Sequence, residues 1–344
     1  MRDQPLSDVV IHRLESAAQA IGTASPTKFI RPLLERTFPL PLGDDRYASN
    51  VLTPGAAPLE PSYSELEPGN LRFTIEPLGP EADASSRRNE ATREVRRLVG
   101  PIFGGDALRW FDRRSEAWRG PDCRARLNFG AFFGSAYDRD GLSACKVYYE
   151  LLPQQIDALP ADLIEMLRLA SQALPRLTPL FTSITCRRGS GAQRLTCAVR
   201  GAVKMADVGA FLNAVGLSHA LAGMMQVLGV ALGGRFEFPP GSVLISLGLT
   251  PEGPEVELYV LLERIPDVPP DFLGLISLGM AERPRHLRAL SRWLQAFNFA
   301  GSPDALSIIS VHAAPDSPPR MSLYLRPSEL EVAHPAAQAA PAMA

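Results

Sequence analysis

The segment AYDRDGLSACKVYYELLP, residues 136–153, concentrates three kinds of chemistry on one strand face. Side chains alternate with period two along a strand, so Lys146, Tyr148 and Glu150 share one side and Val147, Tyr149 and Leu151 the other. A cation, a phenol and a carboxylate in one row suit a surface that holds an anion and meets a developing positive charge. The same alternation sets Arg72, Thr74 and Glu76 against Leu71, Phe73 and Ile75, and Arg126 and Asn128 against Leu127 and Phe129. Further on, Arg194, Thr196 and Arg200 oppose Leu195, Cys197 and Val199, and Glu257 and Tyr259 oppose Val256, Leu258 and Val260. Arg320, Ser322, Tyr324 and Arg326 oppose Met321, Leu323 and Leu325. Each of these segments has one charged face and one apolar face.

Brought together, Arg72, Arg126, Lys146, Arg194 and Arg320 would hold phosphate or diphosphate oxygens through charge-assisted hydrogen bonds. Tyr148, Tyr259 and Tyr324 would donate hydroxyls to the phosphate and offer ring faces to a carbocation. That combination suits allylic diphosphate chemistry. Taken singly, each charged residue reads first as a solvated position on an open sheet; taken as a set on matched strand positions, they point to a shared lining.

Other chemistries find little support. There is no phosphate-binding G-x-x-x-x-G-K-[ST] loop and no G-x-S-x-G elbow. His12, His219, His286, His312 and His334 lack metal-ligand spacing, and His312, although on a strand, reads first as a structural histidine. Ala48 stands where a D-D-x-x-D motif beginning at Asp44-Asp45 would need its next carboxylate, and Asp267 and Asp271 read as turn residues. No metal site and no required cofactor are therefore expected; a diphosphate would enter as co-substrate.

The elements that must position these residues follow a repeated hairpin–helix rhythm. Helical patterns cover roughly 7–21, 26–37, 86–100, 161–174, 206–229 and 284–299. Strands are predicted at 71–79, 124–133 and 143–151, with hairpins at 180–201, 242–263 (turning near Pro254) and 307–327. The stretch 39–58 reads as a Pro/Gly-rich loop. The repeat is about 60 residues, longer than common solenoids. This predicts an α+β chain with an antiparallel sheet whose apolar faces pack on helices. The polar faces then either meet bulk water on an open sheet or line a closed barrel of about ten strands, wide enough for a wet interior.

Composition sets the bounds. The chain has 344 residues and a formal net charge of −2, with no basic stripe that would suit nucleic acid. The beginning MRDQPLSDVV lacks a signal-peptide pattern and no apolar run reaches membrane-spanning length, so a cytoplasmic protein without a membrane partner is expected. Cys123, Cys145, Cys186 and Cys197 form no C-x-x-C pair, and Cys145 and Cys197 fall on apolar strand faces. Residues 1–330 read as a single domain and 331–344, ending AHPAAQAAPAMA, as a disordered tail. Monomer and homodimer both fit the pattern.

The motifs APLEPSYSE, LRFTIEPLGP and AYDRDGLSACKVYYELLP, with the C-terminal RMSLYLRP, resemble the dimethylallyltryptophan synthase family of aromatic prenyltransferases. The resemblance spans most of residues 50–327. It implies the α-β-β-α prenyltransferase barrel: ten antiparallel strands around a solvent-filled chamber, ringed by helices. It implies that Glu60 binds an indole N–H and helps remove the ring proton, and that Arg72, Lys146 and Tyr148 contact the diphosphate. Where the family strand reads R-x-K-x-Y, this chain keeps Arg194 but has Thr196 and Ala198. Glu257 stands before Tyr259 where the family has Gln or Lys, so it would face the acceptor or pair with a nearby arginine; the last strand supplies Tyr324. The implied function is metal-independent transfer of a dimethylallyl or longer prenyl group from an allylic diphosphate to an indole such as tryptophan or a tryptophan-derived natural product. Prenylation of a peptide or a phenol, and a non-catalytic ligand-binding barrel, are the alternatives.

Overall fold

The computed structural model describes residues 4–119, 127–297 and 305–332. The chain opens with two helices, α1 (Leu6–Ile21) and α2 (Thr27–Thr37). Apolar residues recur in α1 at Leu6, Val10, Ile11, Leu14, Ala17, Ala18 and Ile21, one helical stripe that is wholly buried. Gly22 ends the helix in the left-handed region at φ +86 and caps it onto the Ala18 carbonyl.

Strands β1 (Leu59–Ser64) and β2 (Leu71–Ile75) follow, then α3 (Ala84–Phe103) and α4 (Gly105–Arg119), then the hairpin β3 (Ala131–Asp138) and β4 (Gly141–Glu150). Helix α5 (Ala161–Ala173) leads to the hairpin β5 (Leu177–Arg187) and β6 (Ser190–Val199). A small two-stranded sheet, β7 (Val203–Lys204) with β8 (Glu237–Phe238), brackets α6 (Met205–Ala214) and α7 (Ala220–Ala231). The chain continues with β9 (Val243–Thr250), β10 (Gly253–Leu261), α8 (Phe272–Gly279), α9 (Pro284–Ala296), β11 (Leu306–Ala314) and β12 (Ser317–Leu325).

Ten strands close into one barrel in the order β1-β12-β11-β10-β9-β6-β5-β4-β3-β2. Every pairing is antiparallel. Closure removes the unpaired edges an open sheet would present, so the open-sheet alternative is not realised. The apolar faces point outward. Phe73, Phe133, Val147, Tyr149, Leu195, Leu247, Leu258 and Leu323 are shut off from water in the layer between sheet and helices. Outside them, α3 covers β3 and β4, α4 covers β5 and β6, and α7 covers β11 and β12. The polar faces point inward, and Arg72, Lys146, Tyr148, Arg194, Tyr259 and Tyr324 keep partial solvent exposure inside a closed barrel. The interior is therefore a wet lumen and the core is the shell around it. No described helix is long and apolar enough to cross a membrane.

The predicted elements shift in a few places, each for a local reason. The strand expected at 124–133 begins at Ala131 instead. Glu150 accepts the backbone N–H groups of Asn128, Phe129 and Gly130 at 2.8–2.9 Å, which leaves those amides unavailable to a ladder. Asn128 therefore lies before the strand, and Arg126 and Cys123 fall outside the described residues. Gly130 adopts φ +76, and a Cβ there would sit 1.8 Å from the Ala84 carbonyl oxygen, so this loop passes the start of α3 only as glycine. The helical pattern across 206–229 divides into α6 and α7 near Gly216 at φ +78. The β9–β10 turn falls at 251–252, ahead of Pro254. At the C-terminal end, Arg326 pairs with Glu331, and Val332 packs against the core; 333–344 lie outside the described residues.

Candidate active site

Register sorts the lumen residues into rows. Lys146 of β4 pairs with Gly134 of β3, which pairs with Thr74 of β2, which pairs with Glu60 of β1. One step along, Arg72 of β2 pairs with Ser62 of β1 and Ser62 with Tyr324 of β12. Five strands thus bring Glu60, Arg72, Lys146, Tyr148 and Tyr324 onto one contiguous stretch of wall.

Strand β1 is not among the predicted elements, because Pro61 interrupts its pattern; it forms a full strand whose six residues are all buried. Its alternation turns Leu59 and Tyr63 to the helices and Glu60 into the lumen. Glu60 is 7% exposed and accepts a hydrogen bond from the Ser307 hydroxyl at 3.1 Å. Burial pushes its carboxyl up to about 8, only partly offset by that bond. At neutral pH the unliganded carboxyl is mostly protonated.

Lys146 places its ammonium 4.2 Å from the centroid of the Tyr148 ring. Burial pushes its pKa down, the nearby Arg194 adds to that, and Tyr148 and Glu257 oppose it. Among the described residues, no carboxylate lies within ion-pair distance of Lys146, Arg72 or Arg320. Tyr148 meets Phe181 edge-on at 5.6 Å, and Tyr259 meets Tyr324 at 6.0 Å. Burial, then the Glu257 carboxylate, holds both Tyr259 and Tyr324 well above the usual phenol range, so they remain neutral donors.

The opposite wall is built differently. Arg194 of β6 reaches Glu257 at 3.1 Å, Glu255 through a short ion pair, and His312 Nε2 at 3.2 Å. Glu257 also accepts from Ser310 at 2.7 Å and from the Tyr259 hydroxyl at 2.8 Å. Burial alone would raise the Glu257 carboxyl; Arg194, His312 and these two hydroxyls outweigh it and hold it below its ordinary value. Glu255 is likewise raised by burial but brought down to about 2 by His312 and Arg194. Thr196 pairs with Ser246 and Ala198 with Leu244, so this part of the lining is small and uncharged.

Most of the residues predicted from strand alternation do share the lumen: Arg72, Lys146, Tyr148, Arg194, Thr196, Glu257, Tyr259, Arg320 and Tyr324 all lie on inward-facing rows. Glu76 does not. It lies just past β2 and forms a buried ion pair with Arg87 of α3 at 2.6 Å. Arg326 is likewise past its strand and binds Glu331. Alternation missed Glu255, two residues before Glu257 on the same face, because the strand was read only from Val256 onward. Ser307, Ser310 and Phe181 were missed because single hydroxyls and a lone ring carry no signal without their partners. His312 lies in the lumen as part of the Arg194 cluster.

No family model and no curated protein matches the sequence. Solved structures do match its fold across nearly the whole chain. The prenyltransferase PriB in ternary complex with L-tryptophan and dimethylallyl thiolodiphosphate is 18% identical, covering 96% of this chain and 98% of that one, with a TM-score of 0.69. The fold is that of the aromatic prenyltransferase barrel. The 6-dimethylallyltryptophan synthase from Micromonospora olivasterospora gives a TM-score of 0.72 at 17% identity over 96% of this chain and 99% of that chain. The 5-dimethylallyltryptophan synthase from Streptomyces coelicolor gives 0.67 at 15% over 95% and 99%. Within this barrel fold, Glu60, Arg72 and Lys146 all line the lumen. Among the described residues, no group of three or more His, Cys, Asp or Glu is placed to hold a metal ion.

Proposed function

We propose that this chain is an aromatic prenyltransferase that moves a dimethylallyl or longer prenyl group from an allylic diphosphate to an indole acceptor such as tryptophan, without a metal. The observation that carries the reading is one wall of a wet lumen where Arg72 and Lys146, with no carboxylate at ion-pair distance among the described residues, lie beside the buried carboxyl group of Glu60 and the tyrosines Tyr148 and Tyr324. The fold neighbours bound to L-tryptophan and a dimethylallyl thiolodiphosphate support the ligand classes.

Arg72, Lys146 and the Tyr148 hydroxyl hold the diphosphate. They stabilise the charge that grows on it as the allylic C–O bond breaks and it leaves with the electron pair. The rings of Tyr148, Tyr259 and Tyr324 shield the allylic cation from water. The arene attacks, a carbon–carbon bond forms, and the ring carbon gives up its proton to Glu60, directly or through water. The Glu60 carbonyl oxygen can accept the indole N–H in either protonation state, but Glu60 must be ionised to accept that proton.

The test is incubation with dimethylallyl diphosphate and tryptophan, a cyclic dipeptide or tyrosine, each with and without chelator, read by mass spectrometry. A product 68 mass units (roughly C5H8) heavier with the indoles, unaffected by chelator, is expected. Product with tyrosine alone would move the acceptor class to phenols. The replacements at Thr196 and Ala198 favour a second reading, a barrel that binds the donor without turning it over; donor binding without product from any acceptor would establish it and end the enzyme reading.

A further inference from the structure

The lumen contains an arginine that is already occupied. Arg194 of β6 stands in register with Gly248 of β9, and Gly248 stands in register with Glu255 of β10. The guanidinium crosses β9 above that glycine to meet Glu255 and Glu257 on the far strand. A Cβ at position 248 would lie 2.9 Å from Arg194 Cγ, so the absence of a side chain there opens the path. His312 of β11 closes the cluster, 3.2 Å from Arg194 and 3.6 Å from Glu255. Ser310 donates to Glu257 Oε1, and Tyr259 donates to Oε2, the oxygen Arg194 also holds.

We infer that Glu255 and Glu257 act as internal counter-anions that withhold Arg194 from a diphosphate, making Glu255 a determinant of donor affinity and Arg194 a positioning residue for Glu257 and Tyr259. This rests on the proposed function and departs from the reading of Arg194 as one of the cations that hold the diphosphate. An anion entering the lumen meets Arg72 and Lys146, which have no carboxylate partner among the described residues, but at Arg194 it must displace two carboxylates already held at bonding distance. Burial raises the Glu255 carboxyl, but His312 and Arg194 outweigh it and bring it down to about 2, so it is ionised at neutral pH. The two carboxylates also place negative charge inside the lumen, which opposes any incoming anion at close range.

Inorganic pyrophosphate, titrated calorimetrically into the full chain, reads the clamp without depending on turnover. Glu255→Gln is expected to tighten pyrophosphate binding at least tenfold. The charge-balanced double variant Arg194→Gln with Glu257→Gln is expected to stay within threefold of the parent, while Lys146→Gln weakens binding more than tenfold. Thermal unfolding of each variant checks that it is folded, and Glu255→Gln is the conservative one of the set. Unchanged or weaker binding in Glu255→Gln overturns the inference. So does a loss in the double variant as large as in Lys146→Gln. If neither the parent nor Glu255→Gln binds pyrophosphate, the proposed function falls with it; if the parent binds and Glu255→Gln does not respond, only the clamp falls.

Discussion

On β2 and β4, Arg72 and Lys146 face the lumen with no carboxylate at ion-pair distance among the described residues, whereas Arg194 on β6 touches two. Both walls use the same device to seat their large polar side chains. Gly134 of β3 lies beneath Tyr148, where a Cβ would come 3.2 Å from the ring, and Gly248 of β9 lies beneath Arg194. The difference is in what lies across the glycine. Beyond Gly134 is Thr74, a neutral neighbour; beyond Gly248 is Glu255. One wall therefore keeps unspent positive charge, and the other has spent its own. A cation in a lumen binds an anion only if the fold has not already supplied one.

The largest effect should come from the open wall. Lys146→Ala removes the ammonium at the proposed leaving group, and kcat/KM should fall by roughly 10²–10³, the range for losing a donor to a developing anion. A fall of that size from loss of Arg194 in a charge-balanced background, with Lys146→Ala mild, would reverse the comparison between the two walls.

Next in size is Glu60→Gln, expected to lower turnover about 10²-fold, as for loss of a general base. The wild-type rate should climb with pH towards about 8 as the carboxyl ionises, and the variant should lack that limb. The same group affects stability. Its folded pKa of about 8 exceeds the ordinary 4.5, so in that window the folded chain binds more protons than the unfolded one. Its contribution is whole below 4.5 and is lost as pH rises through about 8. Wild type should lose on the order of 4–5 kcal/mol more than Glu60→Gln across that window, measured by denaturant unfolding at several pH values. Parallel pH curves for the two proteins would remove the raised carboxyl from the account.

How far the sequence carried this comparison depends on the residue. Period-two alternation found Lys146, Tyr148, Arg72, Tyr259 and Tyr324, because inward and outward faces differ sharply in polarity on their strands. It could not decide between open sheet and barrel, since closure rests on β1 pairing with β12, a contact between residues 62–64 and 322–324. Strand β1 itself was invisible: Pro61 and the preceding Pro/Gly-rich loop mask its alternation. Pairing of Glu257 with an arginine was one reading of its place beside Tyr259, but that Arg194 is the partner follows only from β6 and β9 being neighbours, which is topology.

Glu150 shares a strand face with Lys146 and Tyr148 yet serves neither wall. Its two oxygens collect the amides of Asn128, Phe129 and Gly130 and the side-chain amide of Asn128. This makes it an anchor for the loop entering β3. Glu150→Gln replaces one acceptor oxygen with an NH2 that faces N–H donors. It should cost about 2–4 kcal/mol of stability, from lost charge-assisted bonds and an unsatisfied pair of donors, with pyrophosphate affinity unchanged. A variant of normal stability but weakened pyrophosphate binding would return Glu150 to the open wall.

The smallest effect should separate the two glycines. Gly134→Ala meets an aromatic ring at 3.2 Å, a rigid neighbour that can retreat only by turning away from Lys146. Gly248→Ala meets the aliphatic stem of Arg194 at 2.9 Å, the flexible part of a long side chain. Neither glycine needs a left-handed backbone, so each substitution acts through the side chain above it. On the open wall the alanine disturbs the cation–tyrosine pair and should weaken pyrophosphate binding about threefold, the lower range for such a contact. On the closed wall it lifts Arg194 off the strand and loosens its hold on Glu255, so binding should tighten by a similar factor. Opposite signs from two alanines of equal size would place the difference between the walls in what each glycine seats. Equal signs would mean that both substitutions simply narrow the lumen.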